Sequence, residues 1–203
     1  LLVPHNIFLL WLLFPVLKIL HEFGHACATR AYGGEVHDMG VMFLAFIPCP
    51  YVDASAAAAF RNTWHRIMVG AAGMIVELFL AALALFVWLT VEPGMVRTAM
   101  YDLMLLAGIS TVLFNGNPLL RYDGYYMFAD YLEIPNLWAR SQAYLGYLWE
   151  RYAFGRQEAV PESATPGERG WFVVYGITAL VYRLVVFVAV ALFMATCAII
   201  AFG

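Results

Sequence analysis

Charge is scarce in this chain: Asp, Glu, Lys and Arg supply 12% of 203 residues, while 64% are hydrophobic. Soluble domains are roughly a quarter charged and half apolar, so the composition excludes a soluble fold and places the chain in a lipid bilayer. A basic excess is also missing. The formal net charge of -3 excludes a phosphate-binding surface and, with it, nucleic acid as a partner. Cysteine is sparse, and Cys27, Cys49 and Cys197 stand apart without a CxxC spacing, which excludes a disulfide framework and a cysteine metal site. No charged n-region or small-residue cleavage site precedes the first apolar run, and the chain opens on Leu1. The expectation is therefore a segment of a longer polypeptide that carries no signal peptide.

What is present is long apolar runs. Spanning the hydrocarbon takes about 20 mostly apolar residues, and the stretches 7–32, 67–91, 95–115 and 171–201 are long enough. Glu92-Pro93-Gly94 joins the second and third as a tight antiparallel turn. Between the first two, the apolar run 41–47 is too short to cross and is bracketed by Gly33, Gly34, Gly40, Pro48 and Pro50. Residues 33–55 therefore read as a β-hairpin or re-entrant loop at the membrane edge, with Asp53 or Ser55 capping the next helix. In 137–152, Trp138, Leu145, Leu148, Trp149 and Tyr152 recur at helical spacing, which predicts an interfacial amphipathic helix. Residues 155–170 are polar and carry Pro161 and Pro166, so they read as a linker. The expected fold class is an all-α membrane protein: one core over 1–203, a bundle of four transmembrane helices with the hairpin and the interfacial helix.

Arginine sets the expected orientation. Arg30, Arg61, Arg66, Arg121, Arg140, Arg151, Arg156 and Arg169 fall in loops on one side, and Arg97 lies on the other. The positive-inside rule makes the arginine-rich side cytoplasmic.

Residues 21–25 read His-Glu-Phe-Gly-His, an HExxH. Four residues is about one helical turn, so both imidazoles leave one helix face and can chelate a single ion, with Glu22 alongside. Zinc suits this set, because it takes imidazole and carboxylate ligands in a tetrahedral shell that keeps one position for water. The ion lowers the pKa of that water to about 7, and Glu22 is placed to take its proton as general base during attack on a peptide carbonyl. Ionisable residues late in an apolar span are costly, which marks the motif as functional.

Two histidines leave the shell one protein ligand short. The third span ends on the same side as the first, in Asn115-Gly116-Asn117-Pro118-Leu119-Leu120-Arg121-Tyr122-Asp123-Gly124. Asp123 is the acid there, with Gly124 freeing the backbone. The same residues also read as a helix end followed by a turn, and Asp53 is the alternative carboxylate.

HEFGH on a first span, followed after the third by Asn115, Pro118 and Asp123-Gly124 in an NxxPxxxxDG pattern, resembles the site-2 protease family of intramembrane zinc metallopeptidases. The resemblance implies zinc ligation by His21, His25 and Asp123, catalysis by Glu22, and a substrate-orienting or oxyanion role for Asn115. It implies a membrane-embedded or membrane-associated polypeptide substrate, opened along the strand edge near 33–50 by β-augmentation. Where the family commonly has Leu, this chain has Tyr122. NPLLRYDGYY is most similar to a bacterial branch whose core is joined to a periplasmic adaptor-like region and is associated with peptide maturation or export. That implies the bacterial inner membrane, and the arginine distribution puts the active site toward the cytoplasm. It also leaves a second reading, a zinc-binding component of an export assembly with little or no proteolysis.

Lys18, Glu77, Asp102 and Arg183 sit at comparable depths in their spans, and pairing among them is expected to hold the bundle together. On that reading Glu77→Gln lowers folded yield more than specific activity. Lys18 also lies one turn below Glu22 and can tune it. His5, His37 and His65 fall near the interfaces and are not expected to bind metal. An ion transporter is disfavoured, since the paired interrupted spans of inverted repeats are missing.

Overall fold

The computed structural model describes residues 4–44, 47–156 and 164–202. Among them the chain is mostly helical, with six α-helices and one two-stranded antiparallel sheet. Four helical stretches are long and apolar enough to cross a membrane: Leu9–Ala31, Thr63–Thr90, Met95–Asn115 and Pro166–Ile199. The chain divides into two compact units, Leu1–Tyr131 and Leu132–Gly203, each described by itself.

The first unit begins with α1 (Pro4–Ala31), followed by strands β1 (Met39–Leu44) and β2 (Ile47–Val52). The two strands pair antiparallel as expected of the hairpin, and residues 45 and 46 lie outside the described residues. Met39 pairs with Val52, Val41 with Pro50 and Phe43 with Pro48. The Asp53 N–H donates to the Asp38 carbonyl at 2.8 Å, and this fixes the alternation along the ladder. Tyr51 and Cys49 turn their amides toward β1, whereas Val52, Pro50 and Pro48 face outward. Proline has no N–H to give, so an outward edge is where a strand can hold it. Met39, Val41, Met42 and Phe43 of β1 are all exposed apolar side chains.

Helix α2 runs from Thr63 to Thr90. Its cap is neither Asp53 nor Ser55: the Asn62 side chain accepts from the Trp64 N–H at 2.9 Å. Asp53 Oδ1 instead accepts from the Ser55 N–H at 2.9 Å, ahead of a short 3-10 turn over Ser55–Ala59. The helix starts four residues before the apolar run because its first turn is polar. Arg66 in that turn donates to Asp130 at 2.6 Å and to the Phe60 carbonyl at 2.8 Å.

Helices α1 and α2 meet closely. A Cβ on Gly24 would lie 2.9 Å from the Ala72 carbonyl oxygen and 3.0 Å from Val76 Cγ2, so the backbones approach at a point where glycine leaves room. The tight turn at 92–94 leads into α3 (Met95–Ile109), which continues as a π-helical segment, Ser110–Asn115. There the Gly116 N–H reaches back five residues to the Thr111 carbonyl at 2.7 Å. Helix α4 (Asp123–Tyr131) follows, and Arg66 on α2 holds its Asp130.

The second unit contains α5 (Leu137–Tyr152), with the bounds expected from its periodicity, and α6 (Pro166–Phe202). Helix α6 begins five residues earlier than its apolar run. Thr165 and Glu168 form a capping box, with the Thr165 N–H on Glu168 Oε2 at 2.7 Å and the Glu168 N–H on Thr165 Oγ1 at 3.3 Å. Pro166 takes the first helical position, where its missing N–H costs nothing. Of the expected linker 155–170, residues 157–163 lie outside the described residues. Arg140 bridges to Glu168 at 2.9 Å, and Arg183 lies 3.7 Å above the Trp138 ring. Of the four intramembrane charges, Lys18 and Glu77 do pair, while Arg183 finds an aromatic face.

Candidate metal centre

His21 and His25 lie one turn apart in the second half of α1 and are both buried, at 4% and 8% exposure. Asp123 is the first residue of α4, where a carboxylate is favoured by the helix N-terminus. The fold brings the three together. His21 Nε2 is 3.1 Å from His25 Nε2 and 3.1 Å from Asp123 Oδ2, and His25 Nε2 is 3.5 Å from the same oxygen. Among the described residues this is the one cluster of three metal-ligating side chains.

The arrangement fits a divalent cation. His25 Nδ1 lies 2.7 Å from the Val69 carbonyl oxygen, which can accept but not donate, so Nδ1 carries the proton and Nε2 presents a lone pair. Asp123 Oδ2 is buried and has no hydrogen-bond partner in good alignment. Acceptor atoms about 3 Å apart repel unless a proton or a positive charge stands between them, and among the described residues no aligned donor reaches Asp123 Oδ2. Bonds of about 2.05 Å at tetrahedral angles impose ligand separations of roughly 3.3 Å, a value that the edges of 3.1, 3.1 and 3.5 Å bracket.

Room for the site comes from a glycine. A Cβ on Gly73 of α2 would lie 2.5 Å from His21 Cε1, 2.6 Å from His21 Nε2 and 2.6 Å from His25 Nε2. A second glycine sets the opposite side. A Cβ on Gly124 would meet the Gly116 carbonyl carbon at 2.6 Å and the Asn115 carbonyl oxygen at 2.8 Å. The role of Gly124 is therefore space rather than turn geometry, because it lies inside α4 and not at a left-handed position.

Glu22 is half-buried beside the triad, and its carboxylate accepts a hydrogen bond from the Val52 N–H, the outward-facing amide of β2. Asn115 closes the π-helical segment, is buried, and donates from Nδ2 to Glu77 Oε2 at 3.4 Å. Asp53 remains with Ser55 on the hairpin and is not part of the cluster. His65 stacks on Tyr32 with ring centroids 4.3 Å apart, and His37 is exposed beside Glu35, both away from the cluster. His5 lies where side chains are not described.

Sequence reasoning missed Gly73 and the Val69 carbonyl. Glycines three apart at 70 and 73 in an apolar span were the available signal for a close helix contact. A backbone acceptor leaves no trace in residue identity.

A family model described as Peptidase family M50 matches residues 7–196. No curated protein and no solved structure matches the chain.

Proposed function

The chain belongs to peptidase family M50, the site-2 protease family of membrane metallopeptidases, and from that premise we propose that it is an intramembrane zinc endopeptidase. The carrying observation is the convergence of His21 Nε2, His25 Nε2 and Asp123 Oδ2 within 3.5 Å of one another next to Glu22. These three residues hold the zinc, which when bound supplies a Lewis acid for the peptide carbonyl and for water. Glu22 takes the proton of the attacking water and returns it to the leaving amide nitrogen. Asn115 keeps one amide hydrogen beyond the one on Glu77, and that donor orients the scissile segment.

The substrate is a polypeptide in or against the bilayer whose helix must first open, since its backbone hydrogen bonds shield the carbonyls. Strand β2 supports a specific way of holding it. The outer edge of β2 reaches Glu22 at Val52 and offers carbonyls, but Pro48 and Pro50 withhold donors. A segment laid along that edge is gripped by its own N–H groups while the carbonyls opposite the prolines stay free of strand hydrogen bonds. Unbonded carbonyls are what hydrolysis requires.

The arginine distribution supports a site on the cytoplasmic side of a bacterial inner membrane. The wording NPLLRYDGYY supports a periplasmic adaptor-like or export partner. The test compares wild type with Glu22→Gln for zinc content and for new peptide termini in the host membranes. The variant should keep zinc and lose the termini, a fall of at least a hundredfold. Zinc retained in both with identical termini would instead favour an export component without proteolysis.

A further inference from the structure

Glu77 lies in the middle of α2 with no exposed surface, yet it is surrounded by donors from two other elements. Lys18 of α1 donates to Oε1 at 2.7 Å. Thr111 donates to Oε2 at 2.6 Å, and Asn115 donates to the same oxygen at 3.4 Å. Lys18 also donates to Ser110 Oγ at 2.6 Å. Ser110, Thr111 and Asn115 all belong to the π-helical segment, so the widened turn gathers its polar side chains around one buried carboxylate.

The same Oε1 lies 3.1 Å from Nδ1 of His21. An imidazole that binds metal through one nitrogen holds its proton on the other, and an acceptor there fixes both tautomer and ring orientation. His25 has the Val69 carbonyl for this purpose. For His21 the approach of Glu77 is bent, and no better-aligned acceptor stands at Nδ1 among the described residues. An ion pair serving only to hold α1 against α2 would need Lys18 and Glu77 alone. It would not need the carboxylate wedged between a ligand histidine and the turn that leads to Asp123.

We propose that Glu77 is a positioning residue of the metal centre: its carboxylate holds the His21 imidazole with Nε2 toward His25 and Asp123, and locks that ring to the π-helical turn. This rests on the metal-centre reading given above. It also replaces the expectation that Glu77→Gln chiefly lowers folded yield.

The two roles differ in what survives when both charges are removed. Exchanging a buried ion pair for apolar residues of similar volume is often neutral or stabilising, whereas losing an outer-shell partner of a ligand histidine costs 10- to 100-fold in metal affinity. The experiment uses the full chain in detergent. It measures zinc affinity by chelator competition, the melting midpoint in chelator, and the visible spectrum after cobalt(II) substitution. Wild type should bind one zinc and Asp123→Ala none, which tests the metal centre itself. Lys18→Met/Glu77→Met should melt near wild type, bind zinc 10- to 100-fold more weakly, and show a shifted cobalt spectrum. Lys18→Met/Glu77→Gln restores an acceptor beside Nδ1 and should recover most of the affinity while keeping a small spectral shift. It also serves as the test if the double Met variant does not fold. Zinc affinity within twofold of wild type and an unshifted spectrum in either double variant, beside a zinc-binding wild type, would overturn the role of Glu77 alone. A wild type that binds no zinc would overturn the metal centre and this role together.

Discussion

Gly73→Ala adds one methyl group to the wall of the candidate metal site. Built on the backbone as it stands, its Cβ lies 2.5 to 2.6 Å from ring atoms of both His21 and His25, whereas ordinary van der Waals contact begins at 3.4 Å. The imidazoles must therefore retreat by about 0.8 to 0.9 Å, beyond the roughly 0.5 Å within which a functional constellation tolerates displacement. Both rings ride on α1, and the Val69 carbonyl and the Glu77 carboxylate, on the helix that carries the new methyl, already stand 2.7 and 3.1 Å from the Nδ1 atoms of His25 and His21. Rotation away from the methyl breaks those contacts, and translation of α1 opens the seam at Gly24. Misplacement of about 1 Å costs on the order of a hundredfold where geometry decides, so zinc affinity should fall by about that factor. Gly108→Ala is the control, because nothing lies within 4 Å of its Cβ and alanine is favoured over glycine within a helix by up to about 1 kcal/mol. Chelator competition in detergent reads the affinity, and melting in excess chelator reads the fold. If Gly73→Ala held zinc within twofold of wild type, the spacing argument for the centre would be wrong.

Metal content alone decides which carboxylate completes the proposed site: Asp123→Asn should leave purification without zinc, while Asp53→Asn should retain one ion, and the reverse pattern would move the site to the hairpin. The corrected helix cap makes a stability prediction. Asn62→Ala removes the acceptor for the Trp64 N–H and should cost about 1 kcal/mol, lowering the melting midpoint by a few degrees. Asp53→Ala should lower it much less, since the Asp53 side chain holds the turn at Ser55 and not the start of α2.

The site was more legible than its supports. HExxH fixes its own geometry through the helical repeat, and the acid after the third span could be sought by counting membrane crossings. Both readings meet in the cluster of His21, His25 and Asp123. Spans were legible because apolar length is a one-dimensional property, but their starts were not. The polar first turn of α2 and the capping box of α6 fall outside any apolar window. Glu77 shows a different gap. Its cost in a membrane was evident from residue type, and so was pairing with Lys18, but its contact with His21 depends on the rotational setting of α2 against α1. The π-helical turn that aims Thr111 and Asn115 at it has no signature in sequence periodicity.

Gly24 on one helix and Gly73 on the other leave the α1–α2 seam without upholstery near the histidines. Side-chain layers elsewhere absorb small slips by changing rotamer, but bare backbone against an imidazole has no such cushion. Bilayer thickness is one influence on how far spanning helices lean, and a lean between these two would pass into the gap between the Gly73 backbone and the rings of His21 and His25. The lipid host thereby has a short mechanical line to the candidate metal centre.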